Sequence, residues 1–254
     1  MDLTFKISKE ILFITCLLKT PNYRVKSWVS LQNKLWKKYK KGYQLIQGNY
    51  YELLSGPDYK KVLKEATSDI TQILSEGLAT KEFSSIYKNA CDYKVRLENQ
   101  WNKNKEIINK ELMDILKTEL PEKNSVVNVL SNKVREGSSY HGSIFWGHEE
   151  DWKNYSLVYL VHEYLHNFFI KTDLEHAVVE LIADNEMRIR LNRKGSYFKC
   201  DGMQVGHTHL QTCERKILKE WKTYLKNDEE NIYQFVQRIK KKYPEYSKAS
   251  SEKY

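Results

Sequence analysis

Residues 155–188 read YSLVYLVHEYLHNFFIKTDLEHAVVELIADNEMR, and the apolar spacing in this stretch decides the fold of the region around it. Leu157, Leu160, Val161, Leu165, Phe168 and Phe169 recur at three- and four-residue intervals, which predicts a helix with one buried face. Thr172 and Glu175 have the spacing of a capping box ahead of Ala177, Val178, Leu181 and Ile182, so a second helix starts near Asp173 and stops before Lys194-Gly195. Two helices joined this closely form an antiparallel hairpin. If the first stops near Ile170, reflection about position 171 sets 180 level with 162 and 176 level with 166.

The first of these helices carries His162-Glu163-Tyr164-Leu165-His166, an HExxH motif. Residues four apart on a helix share a face about 6 Å from each other, so both imidazoles can grip one ion while Glu163 projects beside the open coordination position. All seven histidines, at 141, 148, 162, 166, 176, 207 and 209, fall in one part of the chain, and the first 140 residues contain none. Catalytic zinc normally takes a third protein ligand, and the hairpin brings Glu180 within reach of it. Asp184, one turn on, lies just beyond His162, where it can accept the second ring N–H and fix the tautomer. The competing reading of Glu180 and Asp184 is an exposed acidic stripe that pairs with Arg188.

Working outward, residues 1–120 read as successive helices, with Val25, Trp28, Leu31, Leu35 and Trp36 at helical spacing and an amphipathic stretch over 28–39. Ser55-Gly56-Pro57-Asp58 signals a turn, and helical patterns follow over 59–78 and 83–116. Trp28, Trp36, Tyr39 and Tyr43 read as core or groove lining rather than as a platform for nucleobases. After Pro121 the Val-rich run 125–130 and the apolar run 143–146 read as strands, the second either an edge that could hold an extended peptide or an ordinary buried strand. Residues 195–206 form a Gly-containing loop, and helices close the chain over 210–224 and 232–242. The expected class is α+β and predominantly helical: a helical region over 1–120, then a region over 121–254 with a small sheet.

At 254 residues, 41% hydrophobic and 30% charged, the chain is neither collagen-like nor wholly disordered. Its net charge of +9 raises the prior for an anionic partner, although a solvated basic surface is the favoured account of it. Cys16, Cys91, Cys200 and Cys213 form no CxxC pair and read as free thiols of a reducing compartment. The apolar run 11–18 is too short to span a membrane and is flanked unlike a signal peptide, so the expectation is a cytoplasmic protein with no membrane partner.

The HExxH helix followed by Glu180-x-x-x-Asp184 resembles the gluzincins, the thermolysin-like zinc metallopeptidases. The resemblance covers about residues 140–210. It implies His162, His166 and Glu180 as zinc ligands, Glu163 as general base, Asp184 as the carboxylate orienting a histidine, and a peptide or protein as substrate. It also implies a gluzincin-like arrangement for residues 121–254. Only 13 residues separate His166 from Glu180, fewer than in the best-known members. The histidine that would mark a metzincin falls at position 172, which is Thr172. Tyr197, His207 or His209 is expected to donate to the developing oxyanion, or else to serve the structure alone. The expected function is therefore a zinc metallopeptidase. Its rival is a basic nucleic-acid or protein-binding module with structural zinc or no metal, although no recognisable nucleic-acid reader motif is present and no specific nucleic acid is expected.

Overall fold

The computed structural model describes residues 1–19, 26–48, 50, 68–121, 124–169 and 171–247. The expected turn at 55–58 and the start of the helical pattern at 59–67 lie outside them. The chain is α+β and mostly helical. It forms two compact units that interleave in sequence, residues 3–99 with 125–149, and residues 1–2 and 100–124 with 150–254. This division differs from a single cut after residue 120.

The sheet unit opens with β1 (Leu3–Lys6), α1 (Lys9–Leu18), α2 (Lys26–Lys38), α3 (Lys40–Gly48) and α4 (Ser68–Leu78). The first part of α5 (Lys81–Leu116) follows, then β2 (Ser125–Val129), β3 (Glu136–Tyr140) and β4 (Ser143–Gly147). The four strands lie in the order β1-β2-β4-β3, with β3 antiparallel to β4 and the other two pairings parallel. β4 is thus an interior strand, hydrogen-bonded on both sides, and offers no free edge to a peptide. Its run Ile144, Phe145 and Trp146 is buried on both faces, the pattern of a covered strand. His141 and Gly142 turn β3 into β4 with positive φ at both positions, as a two-residue type I′ hairpin requires. β1 was not expected: Leu-Thr-Phe-Lys is too short to show a period, and only its register on β2 makes it a strand.

The apolar run 11–18 forms most of α1, whose Ser8 side chain caps the Ile11 N–H at 3.2 Å. Phe13, Trp28, Leu35, Tyr43, Ile73 and Phe83 meet in this unit's core. No helix among the described residues is long and apolar enough to cross a membrane.

The helical unit takes the rest of α5, then α6 (Tyr155–Leu165), α7 (Asp173–Glu180), a π-helical segment (Leu181–Met187) and α8 (Arg188–Asn192). A small antiparallel ribbon of β5 (Lys199–Cys200) and β6 (Met203–Gln204) sits within the expected loop. α9 (Gln211–Lys226) and α10 (Ile232–Lys242) close the unit around Trp221, Tyr224 and Phe235, whose rings touch at 4.8–5.7 Å. α7 packs on both.

Candidate metal centre

Helix α6 begins where the Glu150 carboxylate accepts the Ser156 N–H at 3.3 Å, a negative group at a helix N-terminus. Leu157, Leu160, Val161 and Leu165 are fully buried, and they carry His162, Glu163 and His166 into the interior with them. The helix stops at Leu165, earlier than the expected 170, because Asn167 turns back to donate through Nδ2 to the Tyr164 carbonyl at 2.8 Å. α7 starts at Asp173 under Thr172, whose hydroxyl accepts the Glu175 N–H at 3.2 Å. The expected reciprocal bond is displaced by one residue: the Glu175 carboxylate accepts from the Lys171 N–H, at 2.6 Å.

The helix then widens into seven residues of π-helix, a rare form that is frequent at functional sites. Side chains occupy its carbonyls: Asn185 Nδ2 donates to the Glu180 carbonyl at 3.0 Å, and Arg188 Nε to the Asp184 carbonyl at 2.6 Å. The same two residues tie in the following loop. Asn185 Oδ1 accepts the Phe198 N–H at 2.7 Å, and Arg188 Nη2 donates to the Ser196 carbonyl at 2.7 Å. Glu180 and Asp184 are both completely buried, which rules out the exposed acidic stripe.

The hairpin joins residues that the sequence separates. Asp184 Oδ1 lies 3.0 Å from His162 Nδ1. The His166 and His176 rings are 4.9 Å apart, and those of His162 and His166 are 4.5 Å apart. His207 joins them from the loop, 4.8 Å from His176 and 5.8 Å from His162. Glu163 Oε2 is 3.2 Å from His166 Nδ1. Two donor sets converge on His162: one with Glu163 and His166, the other with His176 and His207. Glu180 does not belong to either. Its carboxylate accepts the His207 N–H at 2.7 and 2.9 Å and also pairs with His207 Nδ1.

The remaining expected residues fall elsewhere. The Tyr197 hydroxyl lies between Glu186, at 2.5 Å, and Trp221 Nε1, at 3.0 Å, so its bonds are made away from the histidines. His209 is exposed at the edge of the cluster, 5.6 Å from His207. His141 and His148 belong to the sheet unit, where they pack on Tyr140 and Trp146. Sequence reasoning passed over Tyr159, whose ring is 5.9 Å from that of His162, although 159, 162, 163 and 166 share one helix face. It also passed over Glu214, which lies beyond any local spacing and accepts from Asn185 at 3.2 Å.

The local field favours positive charge at His162. Burial pushes its pKa down, but Asp184 and then Glu163 and Glu180 outweigh this and leave it raised to about 9. His176 is driven the other way, first by burial and then by its neighbouring imidazoles, so it stays neutral, the form that binds metal. Burial beside Glu180 and Asp184 pushes Glu214 up to about 9. With its Nδ1 facing Asp184, His162 presents an Nε2 that is buried and has no hydrogen-bond partner among the described residues. That buried nitrogen, in a field that favours cations, suits a metal ion that takes the place of its proton, and these His and Glu groups could hold one.

No family model matches the chain, and neither a curated protein nor a solved structure proves similar to it.

Proposed function

We propose that this chain is a zinc-dependent hydrolase, a peptidase in which Glu163 is the general base. The observation that carries the reading is the buried His162–Asp184 pair at 3.0 Å, with the open Nε2 of His162 on the same helix face as Glu163. Asp184 holds the proton on Nδ1, and that fixes the tautomer in which Nε2 can ligate. The ion would be held by His162 and further donors of the cluster, of which the gluzincin resemblance nominates His166 and Glu180. Imidazole donors suit zinc, which when bound polarises a scissile carbonyl and acidifies water. Glu163, buried beside the motif histidines, would take the proton of the attacking water and pass it to the leaving amine.

The test separates metal from chemistry. Wild type should retain one zinc per chain after mild dialysis and cleave members of a peptide library. Glu163→Gln should keep the zinc and lose about 10²–10⁴-fold in turnover, because the near-isosteric amide cannot act as a base. Wild-type turnover in that variant would sink the general-base role.

A second reading draws on His176 and His207, which gather around His162 as a further set of donors. Four protein donors would close the coordination and make the zinc structural, in a basic binding module. A zinc-loaded wild type that cleaves no peptide would favour it.

A further inference from the structure

The two carboxylates of the second helix do the same thing to two different histidines. Asp184 faces Nδ1 of His162, and Glu180, one turn earlier, faces Nδ1 of His207. A carboxylate at one ring nitrogen fixes the tautomer and directs the other nitrogen away from itself, the arrangement usual for a metal-bound histidine. Here that second nitrogen is Nε2 in both rings. His176 lies between them, 5.5 Å from the His162 ring and 4.8 Å from the His207 ring, and the three present ligand atoms within 4.8 Å of one another.

Glu180 is ill placed for direct ligation. Its carboxylate already takes two backbone contacts and a ring contact from His207. The loop backbone also presses on it: a Cβ on Gly206, where φ is +76°, would stand 1.9 Å from Glu180 Oε2. Only glycine lets the chain approach this closely and turn, and the approach is what delivers the next residue, His207, to the cluster.

We infer that His207 and His176 are ligands of the ion at His162, and that Glu180 is a positioning residue which orients His207 in place of ligating. This rests on the proposal that His162 binds the ion, and it holds whether that ion performs hydrolysis or only closes the fold.

Zinc affinity of the full chain, measured by competition with a chromophoric chelator, tests the inference. His176→Ala and His207→Ala should each weaken zinc binding at least about 10-fold, and Glu180→Gln by about 10–100-fold, the usual cost of losing an outer partner. The deciding measurement is a cycle. If Glu180 acts through His207, the double variant Glu180→Gln, His207→Ala binds zinc no more weakly than His207→Ala alone. Additive losses would make Glu180 a ligand in its own right and overturn the assignment. Wild-type affinity in His176→Ala would overturn it as well.

Imidazole-¹⁵N spectra of the wild type give an answer that needs no variant to fold. Zinc should shift Nε2 of His162 and of His207 together with a nitrogen of His176, and unmoved His176 and His207 signals would refute the inference. A wild type that takes up no zinc removes both this assignment and the metal from the proposed function. Zinc binding with this pattern in a chain that cleaves nothing removes only the peptidase.

Discussion

The two units bury different chemistry. In the sheet unit the interior is aliphatic and aromatic, and among its described residues Glu136, paired with Lys19, is the one buried Asp, Glu, His, Lys or Arg. In the helical unit His162, Glu163, His166, Glu175, His176, Glu180, Asp184, Arg188 and Glu214 are all buried. Taking ionisable groups out of water is costly even when they are paired, and apolar residues of similar volume often serve stability as well or better. The sheet unit therefore looks built for stability. The helical unit keeps a polar interior that stability alone would not favour, and the buried Nε2 of His162 belongs to it.

If that contrast is right, the largest stability effect should come from the sheet unit's core. Phe13 is fully buried, edge-on to Trp28 at 6.0 Å and to Phe83 at 5.5 Å, and Gly77 leaves room for its ring where a Cβ would stand 1.9 Å away. Phe13→Ala should cost about 3–5 kcal/mol in urea unfolding. A loss below about 1 kcal/mol would mean that this interior is not tightly packed and that the sheet unit is not the more stable of the two by virtue of its core.

In the helical unit the signature should be dependence on pH. With its pKa raised to about 9, Glu214 is protonated in the folded chain at neutral pH, whereas in the unfolded chain it ionises near 4.5. Between those values the folded state holds the extra proton, so stability falls as pH rises, with a limiting slope of about 1.4 kcal/mol per pH unit. Glu214→Gln, which keeps a neutral side chain of the same shape, should remove this contribution and gain stability relative to wild type as pH rises from 5 to 8. Parallel melting curves for the two proteins across that range would show that Glu214 is ionised in the fold after all.

How much of this was legible beforehand depends on whether the cause was local. The helical spacing of Trp28, Leu31 and Leu35 and the apolar run 143–146 reappear as α2 and β4, because a periodic face and a continuous apolar run carry their own explanation. β3 could not be read: Glu-Gly-Ser-Ser-Tyr has no strand pattern, and its register on β4 is what makes it a strand. The hairpin reflection placed His176 beside His166 and Asp184 beside His162 from spacing alone. It could not foresee the π-helical segment, whose residues Leu-Ile-Ala-Asp-Asn-Glu-Met read as ordinary helix and widen only where Asn185 and Arg188 take up the carbonyls. Nor could it show Glu180 taken up by His207, a contact made across 27 residues and through a loop.

A smaller effect should come from the junction that sets the hairpin. Thr172 caps α7 through its hydroxyl, and Thr172→Ala should cost about 1 kcal/mol. Because α7 positions His176 and leads into Glu180 and Asp184, the same variant should also weaken zinc binding, by less than removing any of those side chains. An equal loss would mean that the cap, and not the side chains, organises the site.

The smallest effect should come from the basic surface of the sheet unit, which shares no residue with the buried site. Lys37, Lys38 and Lys40 lie near the junction of α2 and α3, where Lys38 is exposed and paired with Glu76 and Lys40 stands 5.9 Å from the Trp36 ring. Of the nearby aromatics that could have stacked bases, Trp28, Tyr39 and Tyr43 are buried in the core and Trp36 is half-buried. Lysines beside so little exposed ring surface give sequence-independent attraction that salt displaces. Reversing all three charges to Glu should leave zinc content and peptide cleavage within about twofold of wild type. DNA and RNA binding should be weak throughout and fall steeply between about 50 and 200 mM salt. Tight, sequence-selective binding at the higher salt, lost in the charge-reversed variant, would instead make the sheet unit the functional surface and favour the binding module over the hydrolase.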